Sequence, residues 1–315
     1  MPTNLSIFNF KTKDMKRLLT SLLFIITALF IVDRLGGLIM WQVNQNTQNI
    51  LGIKLKYLAT ETNEDLILLG TSRCNFHYVP SILKDSTGLS VYNGGIDGSD
   101  NIYSHYFVLN QILTHHIPKV VCLELMPSDY ICDDKSFETT TFFAPYIGRS
   151  SSADSIFIHS GNYHAYRLSH LYRYNAKAVA DIAGLIYSPQ QIIDNGYIPL
   201  EKPTYHPKTK ETHALEKIDT LKLQYLQKFI TLCKNNNIQL VFTISPSYTI
   251  VRPQMYKPLK DVAYSNEIPF LDYHTMGLFS DNPEYFKDNR HLWDKGARVF
   301  TTIFAQDLKH IIEIQ

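Results

Sequence analysis

The stretch Asp65-Leu66-Ile67-Leu68-Leu69-Gly70-Thr71-Ser72-Arg73 decides the fold, because a short apolar strand runs into a Gly-x-Ser turn within it. Similar apolar runs recur at 89–92, 119–125, 239–244 and 269–272. The segments between them space their apolar residues as helices do. Strands that alternate with helices are typical of a parallel sheet with right-handed crossovers. We therefore expect an α/β fold built on a five-stranded parallel sheet.

The alternation breaks between about 127 and 213, where no strand–helix rhythm is visible. Two helices are predicted inside this segment, near 160–172 and 175–187. The rhythm then resumes with a long helix from about 213 to 235. The segment is therefore predicted to be a largely helical insertion after the third strand, in a domain that spans 64–315.

The N-terminal segment has the composition of a membrane span. Leu18 to Val32 carries no charge, Asp33-Arg34 interrupts the run, and apolar residues continue to Trp41. Counted through Trp41, the segment is long enough to cross a bilayer, which takes about 20 residues. Basic residues precede it, and such residues favour the cytoplasmic side: Lys11, Lys13, Lys16 and Arg17.

These features predict an uncleaved transmembrane signal-anchor over 18–41, with residues 1–17 in the cytoplasm. Residues 42–63 are polar and are predicted to be a linker with some helix. The domain would then lie on the extracytoplasmic side of the cell membrane, as part of a single-pass protein. A cleaved signal peptide is the alternative, although the residues after the apolar run lack an Ala-x-Ala-like cleavage site.

The overall composition argues against several classes of protein. The net charge is +1, with 30 basic and 29 acidic residues, so the sequence does not suggest a nucleic-acid partner. The four cysteines lack the spacing of metal ligands, so we expect no metal and no other cofactor. The 20 tyrosines and 17 phenylalanines either pack the core and surface or line a groove that binds sugars.

Two polar motifs supply the residues that acyl transfer needs. Ser72 follows the first strand, and Asp288-Asn289-Arg290-His291 follows the fifth, so both are expected at the same edge of the sheet. His291 would take the proton of Ser72, and Asp288 would orient the imidazole. The backbone N–H groups of Ser72 and Gly95 are candidate donors to an oxyanion, and Asn93 either adds a side-chain donor or caps the turn. Arg73 is either a surface charge or a substrate-binding anchor for a carboxylate or phosphate.

Three sequence blocks resemble the SGNH (GDSL-like) hydrolase superfamily: 70–73 after strand 1, 93–98 after strand 2 and 288–291 before the last helix. The resemblance implies a flavodoxin-like three-layer α/β/α sandwich. It also implies Ser72 as the nucleophile, Gly95 as an oxyanion donor, and Asp288 with His291 as the rest of a triad. Members of this superfamily are esterases, lipases, acetylhydrolases and O-acyltransferases.

The resemblance is incomplete after the third strand. The superfamily has a Gly-x-Asn-Asp block there, whose Asn donates to the oxyanion, whereas this chain has Glu124 to Asp129 without an Asn. Either Ser128 substitutes or the hole has two donors. Together with the N-terminal anchor, the missing Asn resembles the membrane-anchored DltD-like branch, whose members act on cell-envelope polymers.

The sequence therefore predicts a membrane-anchored serine esterase or O-acyltransferase. Its substrate would be an acyl ester, with acetyl favoured, on cell-envelope carbohydrate, and a membrane-bound acyltransferase is a candidate partner. The alternative is a catalytically inactive SGNH-like scaffold that binds an envelope glycan or a protein through its insertion.

Overall fold

The computed structural model describes residues 12–99, 101–133, 135–187, 194–204, 210–212, 217–251 and 253–314. Its strands are, in chain order, β1 (Leu66–Leu69), β2 (Val91–Asn93), β3 (Val120–Glu124), β4 (Lys210–Thr212), β5 (Gln239–Ile244), β6 (Thr249–Val251) and β7 (Phe270–Asp272). Five of them form one sheet in the order β2-β1-β3-β5-β7. All five predicted strands are present, and every pair in this sheet is parallel.

The helices are α1 (Thr12–Asn46), α2 (Ile50–Thr60), α3 (Ser72–His77), α4 (Pro80–Thr87), α5 (Ile102–Ile112), α6 (Ser151–Phe157), α7 (Tyr163–Leu168), α8 (Ala178–Ala183), α9 (Thr220–Asn235), α10 (Lys257–Ser265), α11 (Gly277–Ser280) and α12 (Asp294–Ile314). Short 3₁₀ turns occur at Pro127–Asp129, Thr141–Tyr146, Tyr172–Tyr174, Pro253–Tyr256 and Pro283–Tyr285.

Helices cover both faces of the sheet, so the predicted three-layer sandwich is confirmed. Side chains alternate across a strand, and β1 shows the consequence: Ile67 and Leu69 join the core beneath α2, α5, α9 and α10. Leu66 and Leu68 join the opposite core, beneath α4, α11 and α12. The strand order is that of flavodoxin-like folds, in which the switch point lies between β1 and β3 and sites form at the carboxyl ends of the strands.

The long helix α1 precedes this domain. Among the described residues it is the one helix that is long and apolar enough to cross a membrane. Its apolar side chains from Met15 to Ile39 are exposed, as they are in no other long helix described here. The helix continues past the predicted span to Asn46, and most of the predicted linker at 42–63 is helical. In that region α2 packs onto the sheet through Leu55 and Leu58 because its apolar residues recur at helical spacing.

The segment between β3 and α9 departs from the strand–helix alternation, as predicted. It holds α6, α7, α8 and β4, with α7 and α8 shorter than the predicted helices at 160–172 and 175–187. The strand β4 was not predicted; it pairs in parallel with β6, next to β5 in the chain. The predicted start of the next helix at 213 lies outside the described residues, as do 1–11 of the predicted cytoplasmic segment. α9 begins at Thr220, where Asp219 accepts from the N–H groups of Leu221 and Lys222.

Candidate active site

A tight turn carries Ser72 from the end of β1 to the first position of α3. A Cβ atom on Gly70 would lie 2.7 Å from Cβ of Cys74 and 2.9 Å from Cβ of Glu124, so only glycine fits there. The strand therefore turns directly into the helix. Ser72 is left at the carboxyl edge of the sheet with 9% of its surface exposed.

A second tight turn holds Asp288 and His291. Phe286 and Leu292 form an isolated antiparallel bridge, both are fully buried, and the N–H of Lys287 donates to the carbonyl of His291 at 2.7 Å. Inside this turn, Asp288 Oδ1 accepts from the N–H of His291 at 2.9 Å. The spacing Asp-x-x-His thus places the carboxylate beneath the imidazole of its own loop.

The two turns meet in a chain of hydrogen bonds. Ser72 Oγ lies 2.8 Å from His291 Nε2, and His291 Nδ1 lies 2.9 Å from Asp288 Oδ2 and 3.1 Å from Oδ1. The edge of the Phe76 ring packs on the imidazole, with ring centroids 5.5 Å apart. The structure therefore brings together the three residues predicted as nucleophile, base and orienting carboxylate, in the order that the chemistry requires.

The electrostatics favour an ionised Asp288. Partial burial acts to raise its pKa, but hydrogen bonds from His291 and from the backbone N–H groups of Arg290 and His291 outweigh it and lower the pKa to about 2. A carboxylate that stays charged near neutral pH accepts the Nδ1 proton. This leaves the Nε2 lone pair of His291 facing the hydroxyl of Ser72.

A buried histidine supports the His291 loop from behind. His77 Nε2 accepts from the N–H of Leu292 at 2.9 Å, so its Nδ1 carries the proton that faces Ser245 Oγ at 2.8 Å. Burial lowers the pKa of His77 well below its ordinary value, and the charge of Arg73 lowers it further. His77 is therefore a neutral acceptor for the residue after His291.

The predicted substrate-binding role of Arg73 is wrong. Arg73 is 3% exposed, and its Nη2 lies 2.6 Å from Oε1 of Glu124, which is 1% exposed. Its guanidinium also donates to the carbonyl of Ser245 at 2.9 Å. Because an unpaired buried charge is unstable, Glu124 at the end of β3 holds Arg73 inside the domain. The single carboxylate in the apolar run 119–125 was the sequence signal for this ion pair.

The proposed oxyanion donors are only partly available. Asn93 is fully buried, and its amide donates to the carbonyls of Cys74 and Tyr78, each at 2.8 Å. Its predicted role as a side-chain donor is therefore corrected: Asn93 fastens its loop to α3. Its Oδ1 accepts from the N–H of Gly95 at 3.0 Å, so the predicted backbone donor is also engaged within the loop.

Two other positions bear on the oxyanion. The N–H of Ser72 begins α3 and has no hydrogen-bond partner among the described residues, which leaves it as the free donor of the predicted set. Ser128, predicted as a substitute for the missing Asn, has a buried hydroxyl that is unpaired within the described part of the chain. Its carbonyl accepts from Lys222 Nζ at 2.9 Å, which ties this turn to α9.

Sequence reasoning missed Lys54, a buried lysine that joins three segments beside the site. Its ammonium donates to Asn75 Oδ1 at 2.6 Å, to the carbonyl of Gly95, and to the carbonyl of Gly196 at 2.9 Å. Lys54 therefore connects α2 to α3, to the loop after β2 and to the end of the insertion. The signal was a lysine within the apolar stripe of α2, beside Leu55 and Leu58.

A cavity of about 260 Å³ opens beside this lysine. Phe76 forms part of its wall and also packs on His291, so the cavity adjoins the hydrogen-bonded chain. Three of its lining side chains are polar: Lys54, Asn75 and Asp97. The other lining residues are Ile50, Leu51, Phe76, Gly95, Ile96 and Ile198. Ser72 and His291 are not among the lining residues, so Phe76 is the residue that connects the cavity to the hydrogen-bonded chain.

No protein-family model matches the chain, and neither does any curated protein. Solved structures are similar to it, and two of them are described here. One is a candidate acylhydrolase from Bacteroides fragilis, with 16% identity and a TM-score of 0.41; the alignment covers 82% of this chain and 94% of that one. The other is a candidate lipolytic protein of the G-D-S-L family from Desulfitobacterium hafniense, with 11% identity, a TM-score of 0.40, and coverages of 77% and 98%. Likenesses this weak assign no activity, so the site is judged by its own geometry.

Proposed function

We propose that this protein is a serine esterase or O-acyltransferase whose nucleophile is Ser72. The observation that carries the proposal is the continuous hydrogen-bonded chain from Ser72 Oγ through His291 to Asp288, at 2.8 and 2.9 Å. Three side chains from opposite ends of the domain meet in the geometry of nucleophile, base and orienting acid. Ser72 keeps 9% of its surface exposed at the carboxyl edge of the sheet, and a substrate would approach its hydroxyl from this edge.

The reaction would proceed in two acyl transfers. Ser72 Oγ attacks the ester carbonyl while His291 Nε2 takes its proton, and collapse of the tetrahedral intermediate breaks the bond to the leaving alcohol, which receives that proton. In the second step, water or a sugar hydroxyl attacks the acyl-enzyme and gives its proton to His291. Ser72 then leaves with that proton. Water makes the protein an esterase, and a sugar hydroxyl makes it an O-acyltransferase.

The proposal extends to the location and the substrate. We place the protein in the cell membrane through α1, with basic residues before the span and the domain on the extracytoplasmic side. Its substrates would be acyl esters, above all acetyl esters, of envelope carbohydrate, as for the DltD-like proteins that the sequence resembles. The cavity beside Phe76 has room for a small acyl group. A membrane-bound acyltransferase would be a suitable donor of such groups.

One observation favours a second candidate function. The N–H of Gly95 is bonded to Asn93, and both amide hydrogens of Asn93 are engaged, so among the described residues only the N–H of Ser72 and the buried hydroxyl of Ser128 are unengaged candidates for the predicted hole. Loss of a single oxyanion donor lowers turnover by about 10²–10³-fold. The alternative is therefore an inactive scaffold that binds an envelope glycan or protein.

Hydrolysis of p-nitrophenyl acetate by the full chain in detergent tests the proposal. We expect measurable turnover that falls on the order of 10⁴-fold or to background in Ser72→Ala. Ser160→Ala, which removes a hydroxyl from a turn of the insertion, is the matched control and should retain wild-type activity. Folded wild-type protein without turnover that binds envelope glycans would support the scaffold instead.

A further inference from the structure

The insertion is attached to α1 close to its apolar run. Asp33 accepts from Ser169 Oγ, from the N–H of His170 at 2.9 Å and from the N–H of Leu171 at 3.2 Å. Arg34 Nη2 donates to the carbonyl of Leu168 at 2.9 Å. These bonds satisfy the one charged pair that interrupts the apolar run, and they fix the height of residues 168–171 along the helix.

That height corresponds to one end of a membrane span. A hydrocarbon core takes about 20 helical residues, and the twentieth residue counted from Leu18 is Gly37. A Cβ atom on Gly37 would lie 2.4 Å from Cβ of His170, so the insertion is in close contact with α1 at this level. If α1 spans the bilayer, residues 168–171 lie at the membrane–water interface.

The next helix of the insertion has its polar and apolar faces reversed. In α8, Asp181 is buried and binds Asn44 Nδ2 at 2.9 Å and Asn49 Nδ2 at 3.0 Å. Val179 and Ile182, on the other side, are 84% and 47% exposed. A surface helix of a water-soluble domain turns its apolar stripe inward. Here the inward side is polar and the outward side apolar, which is the arrangement expected where the outer surroundings are lipid.

The exposed apolar side chains of this region form one stretch of the chain, which we call the insertion face. Its members include Leu168, Leu171, Val179, Ile182, Ile186 and Tyr187. Large contiguous apolar surfaces are uncommon on water-soluble proteins and mark sites of contact with a partner or a membrane. Leu171 lies against Gly36 of α1, and α8 packs on the same helix, so the insertion face borders α1.

Positive charge accompanies the insertion face. A Cβ atom on Gly148 would lie 2.8 Å from Nη1 of Arg167 and 3.7 Å from Nη2 of Arg173. Burial lowers the pKa of Arg173, and the nearby charges of Arg149, Arg167 and Arg34 lower it further. Arg149 stacks on Trp41, near the end of α1. Clustered arginines beside a membrane helix attract anionic headgroups.

We propose that the insertion face lies in the interfacial layer of the bilayer that α1 crosses, with the exposed side chains of Arg149 and Arg167 among anionic lipid headgroups. The inference rests on the membrane span of the proposed function, but not on its catalytic activity. The insertion would hold the domain close to the membrane surface, as an amphipathic interfacial helix does. The domain would thus be anchored by two contacts rather than by a flexible tether.

Quenching by lipid-bound nitroxides tests this placement in the full chain. Cys132→Ser removes the exposed cysteine and leaves Cys74, Cys122 and Cys233, which are buried. On this background, Val179→Cys and Ile186→Cys receive an environment-sensitive fluorophore, and the protein is placed in vesicles of phosphatidylcholine with a minority of phosphatidylglycerol. Leu29→Cys in α1 is the control for the span, and Tyr264→Cys, at an 89% exposed position of α10, is the control for water.

We expect the labels at 179 and 186 to lose roughly half or more of their emission when acyl-chain nitroxides are added, as the Leu29 label does. The Tyr264 label should remain unquenched. Labels at 179 and 186 that match Tyr264 while Leu29 is quenched would overturn the docking but leave the span in place. An unquenched Leu29 label would overturn both. Labels that are unquenched in vesicles but shielded from an aqueous maleimide in native membranes would assign the face to a protein partner instead of lipid.

Discussion

A buried charge network lies directly behind the candidate nucleophile. Arg73, the neighbour of Ser72, pairs with Glu124, and Ser245 Oγ donates to the same carboxylate oxygen at 2.8 Å. Ser245 also contacts His77, which accepts from the N–H of Leu292. The network therefore connects the residue after Ser72 to the residue after His291. Burial of such charges is tolerated because each is paired and hydrogen-bonded, and removal of one partner would cost about 3–5 kcal/mol.

We predict that His77 positions His291 without touching the substrate. In His77→Phe, the N–H of Leu292 loses its acceptor, and a misplaced imidazole should lower kcat for p-nitrophenyl acetate about 10²-fold with little change in KM. In His77→Gln, the side-chain carbonyl can accept the same N–H, so much of kcat should return. Kinetics of both variants measure the difference.

A matched control separates positioning from general loss of structure. His310→Phe replaces an exposed histidine of α12 and should leave kcat and the melting temperature unchanged. Wild-type kcat in His77→Phe would show that the His291 loop does not depend on this hydrogen bond. Because burial keeps His77 neutral, the shape of the pH–rate profile should also be the same in His77→Gln and wild type.

Among the helices, α2 has a larger role than its position next to α1 suggests. It contributes Lys54, whose ammonium binds the carbonyl of Gly95 in the loop after β2 and the carbonyl of Gly196 at the end of the insertion. A Cβ atom on Gly196 would lie 2.2 Å from the carbonyl oxygen of Asn93, so the insertion presses on the same loop. The order of the candidate site thus depends on elements outside the blocks that resemble a known superfamily.

Lys54 makes the free energy of unfolding depend on pH. Burial lowers the pKa of Lys54 from 10.5 to about 7. Between these values the folded protein has released the proton and the unfolded chain still holds it, so the unfolded state binds more protons. The free energy of unfolding contributed by Lys54 therefore rises with pH from about 7 towards 10.5 and is flat below this window.

We predict that Lys54→Met removes this rise and lowers stability at all pH values. Below about pH 7 three buried oxygens lose their donor, and above it two do, because the neutral amine has two N–H groups; each loss costs about 1–3 kcal/mol. Melting temperatures of the full chain in detergent, measured from pH 6 to 10 relative to wild type, check both effects. Lys56→Met changes an exposed lysine of the same helix and should follow wild type. A Lys54→Met curve parallel to that of wild type would contradict the assignment.

Across the whole molecule, the sequence predicts what is local and periodic. Each of the five sheet strands is an apolar run because both faces of a parallel sheet are buried, and such runs are visible without a structure. Ser72 follows the first strand, and Asp288 and His291 follow the fifth, which was enough to predict that they lie at one edge of the sheet. The geometry of Gly70 and of the bridge between Phe286 and Leu292 then sets their distances.

Features that depend on distant partners were not predictable in this way. Arg73 precedes its partner Glu124 by 51 residues, and nothing next to it in the chain indicates an inward orientation. The same holds for Asn93. The sequence does not show that its amide donates to the carbonyls of Cys74 and Tyr78 and so is not available to an oxyanion. The inward polar face of α8 was not predictable either. Helical periodicity shows that a helix has a polar and an apolar face, but not which of the two faces the rest of the protein.

Covalent labelling of wild-type protein by a fluorophosphonate decides whether Ser72 is an activated nucleophile. We predict a single modified peptide with the adduct on Ser72, and no adduct in Ser72→Ala. In Asp288→Asn, labelling should be slower on the order of 10³-fold or more, because the imidazole loses the carboxylate that selects its tautomer. Folded wild-type protein that stays unlabelled, or label that persists in Ser72→Ala, would contradict the proposed triad.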